Sequence, residues 1–242
     1  MRVRAVVAYD GTNYSGFQSQ INAPTVQAAL EAALAQVTQE TVTVLAAGRT
    51  DAGVHAAGQV IAFDTAWRHG MRDLQRALNA VLPADIVAIE VGRAAFDFHP
   101  RYDARSRRYR YTLYNAPVRW PLARRYSLHV AASLDVAAMR QAARLLVGEH
   151  DFATFGQPPQ GQVTVRRVSA AEWGGESPYL TFDIEANAFL YRMVRSVVGT
   201  LLQVGRGAMN VEEFAAALAA RDRSRAGPTA QPHGLCLMEV RY

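Results

Sequence analysis

The sequence contains no lysine, and all 26 of its basic residues are arginine. That excludes Schiff-base chemistry, a pyridoxal-bearing lysine and a P-loop lysine together, and leaves each cationic task to a planar donor that stays charged. There is one cysteine, Cys236, in the apolar run Leu235 to Val240. A disulfide or a thiolate metal cluster within one chain is therefore excluded, and a buried structural thiol is expected. No apolar run reaches the ~18 residues of a membrane span, and Met1 to Asp10 is too brief for a secretory apolar region. The expectation is a soluble, cytoplasmic protein with no membrane partner.

What is present is enough apolar material for a sizeable core: 50% of 242 residues are hydrophobic. That length fits one large domain or two of about 100 to 150 residues. The net charge of +5 is modest but uneven. Between Arg101 and Arg125 lie eight arginines and one acid, Asp103. Tyr102, Tyr109, Tyr111, Tyr114 and Trp120 are interleaved with them, a pattern that suits a polyanion with stackable bases. A solvated strand face is the alternative.

The octamer Gly48-Arg49-Thr50-Asp51-Ala52-Gly53-Val54-His55 sets one carboxylate among small residues, between two strand-like runs. Gly48 and Gly53 leave room for a flat ligand beside Asp51, which makes Asp51 the candidate reactive group. A plain polar turn, with Asp51 capping a local N–H, also fits. A metal held by Asp51 and His55 fits less well, because no third ligand clusters nearby.

Periodicity predicts strands over Arg2 to Tyr9, Thr41 to Ala47, Gln59 to Asp64 and Ile86 to Val91, with helices from Thr25 and over Met71 to Val81. This β-α-β-β-α-β order is the ferredoxin-like one. The second half repeats it: strands Tyr109 to Tyr114, Val163 to Trp173, Tyr179 to Glu185 and Leu235 to Tyr242, with helices Leu134 to Val147 and Phe189 to Val204. An additional helix spans Val211 to Arg221. The expected fold is therefore α+β, two ferredoxin-like halves (1–104 and 105–242) with antiparallel sheets and a cleft between them. Gly148 to Phe152 is expected to be a glycine C-cap with polar loop residues. Arg192 and Arg195, inside an apolar helix, need a carboxylate partner or a wet cleft.

Several of these segments, in this order, resemble the tRNA pseudouridine synthase A family. They are Tyr9-Asp10-Gly11-Thr12 with Tyr14, Gly16 and Gln18; Thr25-Val26-Gln27; Gly48 to His55; Gly58-Gln59-Val60; Leu82-Pro83; Phe98-His99 with Arg101; and Arg108-Tyr109-Arg110-Tyr111. His150-Asp151-Phe152, Ala186-Asn187 with Phe189, Met193-Val194-Arg195 and Gly234-Leu235 complete the match. Phe17, Pro100 and Ser196 stand where Trp, a small residue and Asn are commoner.

The resemblance implies conversion of uridine to pseudouridine in the anticodon stem-loop of tRNA, at positions 38 to 40, by a homodimer without a cofactor or metal. It implies Asp51 as nucleophile or base, Arg195 as its cationic neighbour, and Tyr109 against the extruded uracil. Arg49 would fill the space left by the flipped nucleotide. RNA contacts are expected at Phe98, His99, Pro100, Arg101, Tyr102, Arg105, Arg108 and Arg110, with a second set at Gln157, Pro158, Pro159, Gln160 and Gly161. Two rivals are a non-catalytic RNA-binding module and a metal-dependent nuclease or phosphotransferase.

Overall fold

The computed structural model describes residues 1–158 and 161–242. They form two compact units, Met1–Arg105 with Cys236–Tyr242, and Ser106–Leu235. The first unit runs β1 (Arg2–Tyr9), α1 (Val26–Thr38), β2 (Leu45–Ala46), β3 (His55–Asp64), α2 (Met71–Val81) and β4 (Ile86–Arg93). The second runs β5 (Ser106–Asn115), β6 (Leu128–Val130), α3 (Val136–Arg144), β7 (Gly148–Asp151), β8 (Val165–Glu176), β9 (Tyr179–Ala186), α4 (Met193–Gly205) and α5 (Val211–Ala220). The closing strand, β10 (Leu235–Arg241), which the sequence assigned to the second half, pairs with β3 of the first unit.

In the first unit β1 lies between β3 and β4, antiparallel to both, and β2 pairs antiparallel with the far end of β3. Alternate residues of β1 point inward, so Val3, Ala5, Val7 and Tyr9 are buried, as a strand with one covered face requires. α1 begins where Thr25 accepts from the Ala28 N–H, and buries Val26, Leu30, Ala33 and Leu34. α2 buries Leu74 and Leu78. Its outer turns seal the edge strand: Asn79 Oδ1 accepts from Ala88 N at 2.8 Å, Asn79 Nδ2 donates to Ala88 O at 2.9 Å, and Gln75 Nε2 donates to Ile89 O at 2.6 Å.

The predicted strand Thr41 to Ala47 shrinks to two residues. Side chains of α1 occupy the main chain that a ladder would use: Val44 N donates to Glu31 Oε1 at 3.0 Å, and Val44 O accepts from Gln27 Nε2 at 3.3 Å. β3 instead starts at His55, four residues before the expected Gln59, which shortens the Asp51 loop.

In the second unit the strand order is β5-β9-β8-β7, antiparallel throughout, and β6 pairs parallel with the end of β5. Tyr111, Leu113, Phe182, Ile184, Met139, Val197 and Leu201 form much of its core. Gly148–Asp151 is a strand, not the expected C-cap loop. α4 starts at Met193, not Phe189, because Arg192 takes a left-handed conformation (φ 60°) that cannot continue a helix. The fold is thus α+β with mixed pairing, since β6 and β10 run parallel to their partners. Among the described residues no helix is long and apolar enough to cross a membrane.

Candidate active site

The octamer around Asp51 is fixed from both sides within the first unit. On its N-terminal side Ala47 N donates to Val60 O (2.8 Å) and Gln59 Nε2 to Gly48 O (2.8 Å). At its tip Val54 N donates to Asp51 O (3.1 Å), closing a turn in which Gly53 has φ 77°. The 9–17 segment clamps the same turn: Phe17 N donates to Thr50 O (3.0 Å), Gly53 N to Tyr14 O (3.2 Å), and Gly11 N to His55 Nδ1 (3.0 Å). Asp10 Oδ1 lies 3.1 Å from that same His55 nitrogen. Thr50 is buried, Asp51 half-buried and Arg49 exposed, so the chain turns its small polar residue inward and presents the acid and the arginine outward.

Two glycines outside the octamer make this close approach possible. A Cβ on Gly11 would stand 2.0 Å from Val54 O, and one on Gly16 would stand 2.8 Å from Thr50 O, at a φ of +97°. Gly48, by contrast, has nothing within 4 Å of its own Cβ direction and takes no part in this clamp.

Tyr9 supports the loop from below, its hydroxyl 2.8 Å from Thr50 Oγ1. Burial pushes its phenol up to about 12, against the smaller opposing effect of the Thr50 hydrogen bond, so Tyr9 stays neutral and acts as a strut. Tyr14, whose hydroxyl donates to Asp85 Oδ1 at 2.6 Å, is likewise raised, first by burial and then by that carboxylate. Removing the Tyr9 hydroxyl, in Tyr9→Phe, is expected to lower stability by about 1 kcal/mol in a denaturant titration. An unchanged midpoint would show that the strut contributes nothing.

In the second unit Tyr109 is buried on β5, its ring edge-on to Phe189 with centroids 5.1 Å apart. Arg195, half-buried on α4, donates from Nε to Ala230 O (2.8 Å), and its own carbonyl accepts from Ala230 N (3.0 Å). A backbone carbonyl therefore takes the Nε proton. Arg192 is not inside the helix at all: it caps α4, exposed, with its guanidinium 4.8 Å over the Tyr191 ring. The neighbouring Tyr111 phenol is pushed up by burial, and the Arg195 charge partly opposes this.

The arginine run is divided by strand alternation. Tyr109 and Tyr111 face the core, while Arg108 and Arg110 face outward to Asp183, at 3.8 Å and 3.0 Å. Tyr111 is fully buried and cannot stack on a base, which corrects the picture of one interleaved surface. Further back, Pro100 is buried and its carbonyl accepts from Tyr242 Oη (2.8 Å), while Phe98 packs on the Tyr242 ring at 5.1 Å. His99, Arg101 and Tyr102 cluster outward from this anchor, with ring centroids 4.3 Å apart and the guanidinium 5.7 Å over Tyr102. Arg105 is exposed, and its N–H donates to Arg241 O at 2.8 Å. Gln157 bridges to Tyr191 and Gly161 is exposed (φ +67°), with Pro158 beside Gln157; Pro159 and Gln160 lie outside the described residues.

Sequence reasoning missed the strut, the two clamp glycines and Ala230. Tyr9, Gly11 and Gly16 were visible as motif residues, but nothing local marks them as partners of a loop some 40 positions away. His150-Asp151-Phe152 also has a local structural explanation. Asp151 accepts from Ala153 N and pairs with Arg221 at 3.2 Å, held below the usual carboxylate range first by its Thr164 hydrogen bond. Among the described residues no group of three His, Cys, Asp or Glu side chains could hold a metal ion.

A family model described as tRNA pseudouridine synthase matches residues 5–103 and 142–242. The chain is 49% identical over 245 residues to tRNA pseudouridine synthase A of Moorella thermoacetica, covering 99% of both chains. Identity to the protein of the same name from Chloroflexus aurantiacus is also 49%, over 246 residues, covering 99% of this chain and 88% of that one. For Geobacter sulfurreducens the figures are 45% over 241 residues and 99% of each chain.

Proposed function

The chain belongs to the tRNA pseudouridine synthase A family, an isomerase family, and from that premise we propose that it converts uridine to pseudouridine at positions 38 to 40 of the tRNA anticodon stem-loop. The observation that carries the reading is the Asp51 loop, a half-buried acid on a turn that a second segment holds rigid. A reacting group so held keeps its geometry while the substrate moves.

The reaction breaks the N1–C1′ bond, turns the uracil and joins C5 to C1′, with the C5 proton lost to solvent and N1 reprotonated. Substrate and product are isomers, so no oxidant or second substrate enters. Asp51 acts as nucleophile at C1′ or C6, or as base at C2′. A paired base is out of reach, so the nucleotide leaves the stack at a cost of roughly a few kcal/mol, and Arg49 takes its place. Tyr109 serves the extruded uracil with its ring and hydroxyl, and Arg195 supplies positive charge to the reaction. His99, Arg101, Tyr102 and Arg105, with Arg108, Arg110 and the Gln157 to Gly161 segment, take the phosphates, which position RNA without reading its sequence. The tandem ferredoxin-like reading belongs to the same proposal, supported by the β4-β1-β3-β2 order of the first unit. So do a homodimeric state and a cytoplasmic location.

The deciding experiment incubates purified protein with unmodified tRNA, with and without chelator, and maps pseudouridine by primer extension after carbodiimide treatment. Modification confined to positions 38 to 40 and insensitive to chelation is expected. Modification elsewhere overturns the stem-loop assignment, and none at all overturns the function. Binding should also weaken by roughly a hundredfold between about 50 and 200 mM salt, the response of about four arginine–phosphate contacts. A flat salt response would exclude the arginines as the RNA surface.

A further inference from the structure

β3 turns one face to the core of the first unit, where Gln59, Ile61 and Phe63 stand opposite Val7, Ala5 and Val3 of β1. All six are buried, and Gln59 is 0% exposed. Five are apolar, as such a face requires, and the sixth is an amide. Among the described residues no other asparagine or glutamine is buried. A methionine or leucine would fill the same space with no polar group to desolvate, so packing alone gives no reason for glutamine here.

The amide spends its donors on the loop that carries Asp51. Gln59 Nε2 donates to Gly48 O at 2.8 Å. It also hydrogen-bonds the Tyr9 hydroxyl, which lies 2.8 Å from Thr50 Oγ1; burial raises the Tyr9 phenol, and the Thr50 and Gln59 hydrogen bonds in turn oppose that rise. Gln59 Oε1 meets no donor among the described residues. A flipped amide would set that oxygen against the Gly48 carbonyl, acceptor against acceptor, so the orientation is fixed. The donor half of the side chain thus reaches Gly48 directly and Thr50 through Tyr9, the two residues that flank Arg49 and lead into Asp51.

We propose that Gln59 is a positioning residue for the isomerisation: it sets the Gly48–Arg49 peptide plane, and with it the approach of Arg49 and Asp51 to the RNA. This rests on the reading of Asp51 as the reacting group. Gly48 cannot hold that plane itself, because it has no side chain and nothing lies within 4 Å of its Cβ direction. Deprived of its donor, the Gly48 carbonyl gains by turning toward water, and the rotation carries the following residues with it. The bonds at Thr50, Gly53 and Val54 remain, so the loop stays folded with its geometry altered.

The test is single-turnover assay of wild type, Gln59→Met and Gln59→Glu on tRNA across a range of pH, with thermal melts of the same samples. Methionine keeps the volume and removes the amide. The Gln59→Met variant is expected to melt within a few degrees of wild type, with its maximal rate down by about tenfold to a hundredfold and its half-saturating enzyme concentration changed by less than about threefold. Glutamate keeps the shape but can donate to Gly48 O only when protonated, and burial raises the pKa of such a carboxyl. Its rate, divided by that of wild type at each pH, should lie within a few-fold of one on the acid side and fall as pH rises, while the same ratio for Gln59→Met stays flat. A Gln59→Met variant at the wild-type rate, or one whose rate falls only as far as its folded fraction, overturns the positioning role, and so does a flat ratio for Gln59→Glu. A wild type that makes no pseudouridine overturns the function itself, and turnover retained in Asp51→Ala overturns the reading on which this role rests.

Discussion

Asp51→Ala is expected to abolish pseudouridine formation, by on the order of a thousandfold or more, while tRNA affinity falls only a few-fold. The asymmetry follows from how the loop is built. Its position is set by main-chain bonds at Ala47, Thr50, Gly53 and Val54 and by the Thr50 hydroxyl. Those bonds survive loss of the Asp51 side chain, and neither Ala52 nor Gly53 can supply a replacement carboxylate. Phosphate contacts assigned to the arginines are also untouched. Single-turnover assays with excess enzyme separate the two quantities, and a melt checks the fold. Retained turnover would remove Asp51 from the chemistry, and a loss of binding as large as the loss of turnover would make it an RNA ligand. Asp51→Asn, which keeps the shape, should be as inactive as the alanine variant.

Gly11→Ala should produce the second largest effect, although Gly11 touches no substrate in the proposed mechanism. The added Cβ would stand 2.0 Å from Val54 O and 2.6 Å from the Val54 carbonyl carbon, both main-chain atoms that cannot rotate away. The turn must shift, and with it the Gly11 to His55 hydrogen bond four residues past Asp51. Overpacking of this kind costs about 1 to 3 kcal/mol, and a displacement near 1 Å at a reacting group costs on the order of a hundredfold in rate. Thermal unfolding and turnover should therefore both fall. Gly48→Ala is the stability control, because nothing lies within 4 Å of its Cβ. If the two variants melt alike, the clamp is not what holds the turn.

The elements most legible in the sequence were those whose signals are local. α2 begins and ends at Met71 and Val81 as its Leu74–Leu78 spacing and the following Pro83 require. Thr25 caps α1 as expected. Illegible were features decided by a distant partner. Val44 gave up its ladder bonds to Gln27 and Glu31, the start of α4 turned on the backbone of Arg192, and β7 existed because β8 was there to pair with it. The candidate site divides the same way. Asp51 stood out among its small neighbours and Arg49 through the family resemblance, whereas the support of their loop by Tyr9, Gly11 and Gly16 depends on contacts across the fold. The aromatics within the arginine run were misread because a count of residues ignores the period of two that sends Tyr111 inward while Arg110 faces outward to Asp183.

The side-chain amide of Asn79, which takes both main-chain groups of Ala88, has a bearing on solubility. An outermost strand with free N–H and C=O groups is a template on which another polypeptide can extend the sheet, and growth of that kind has no natural stopping point. Here a helix supplies a counterfeit neighbour, so the template is already filled before any other chain arrives. Fibrous or edge-to-edge assembly through β4 is blocked at that point.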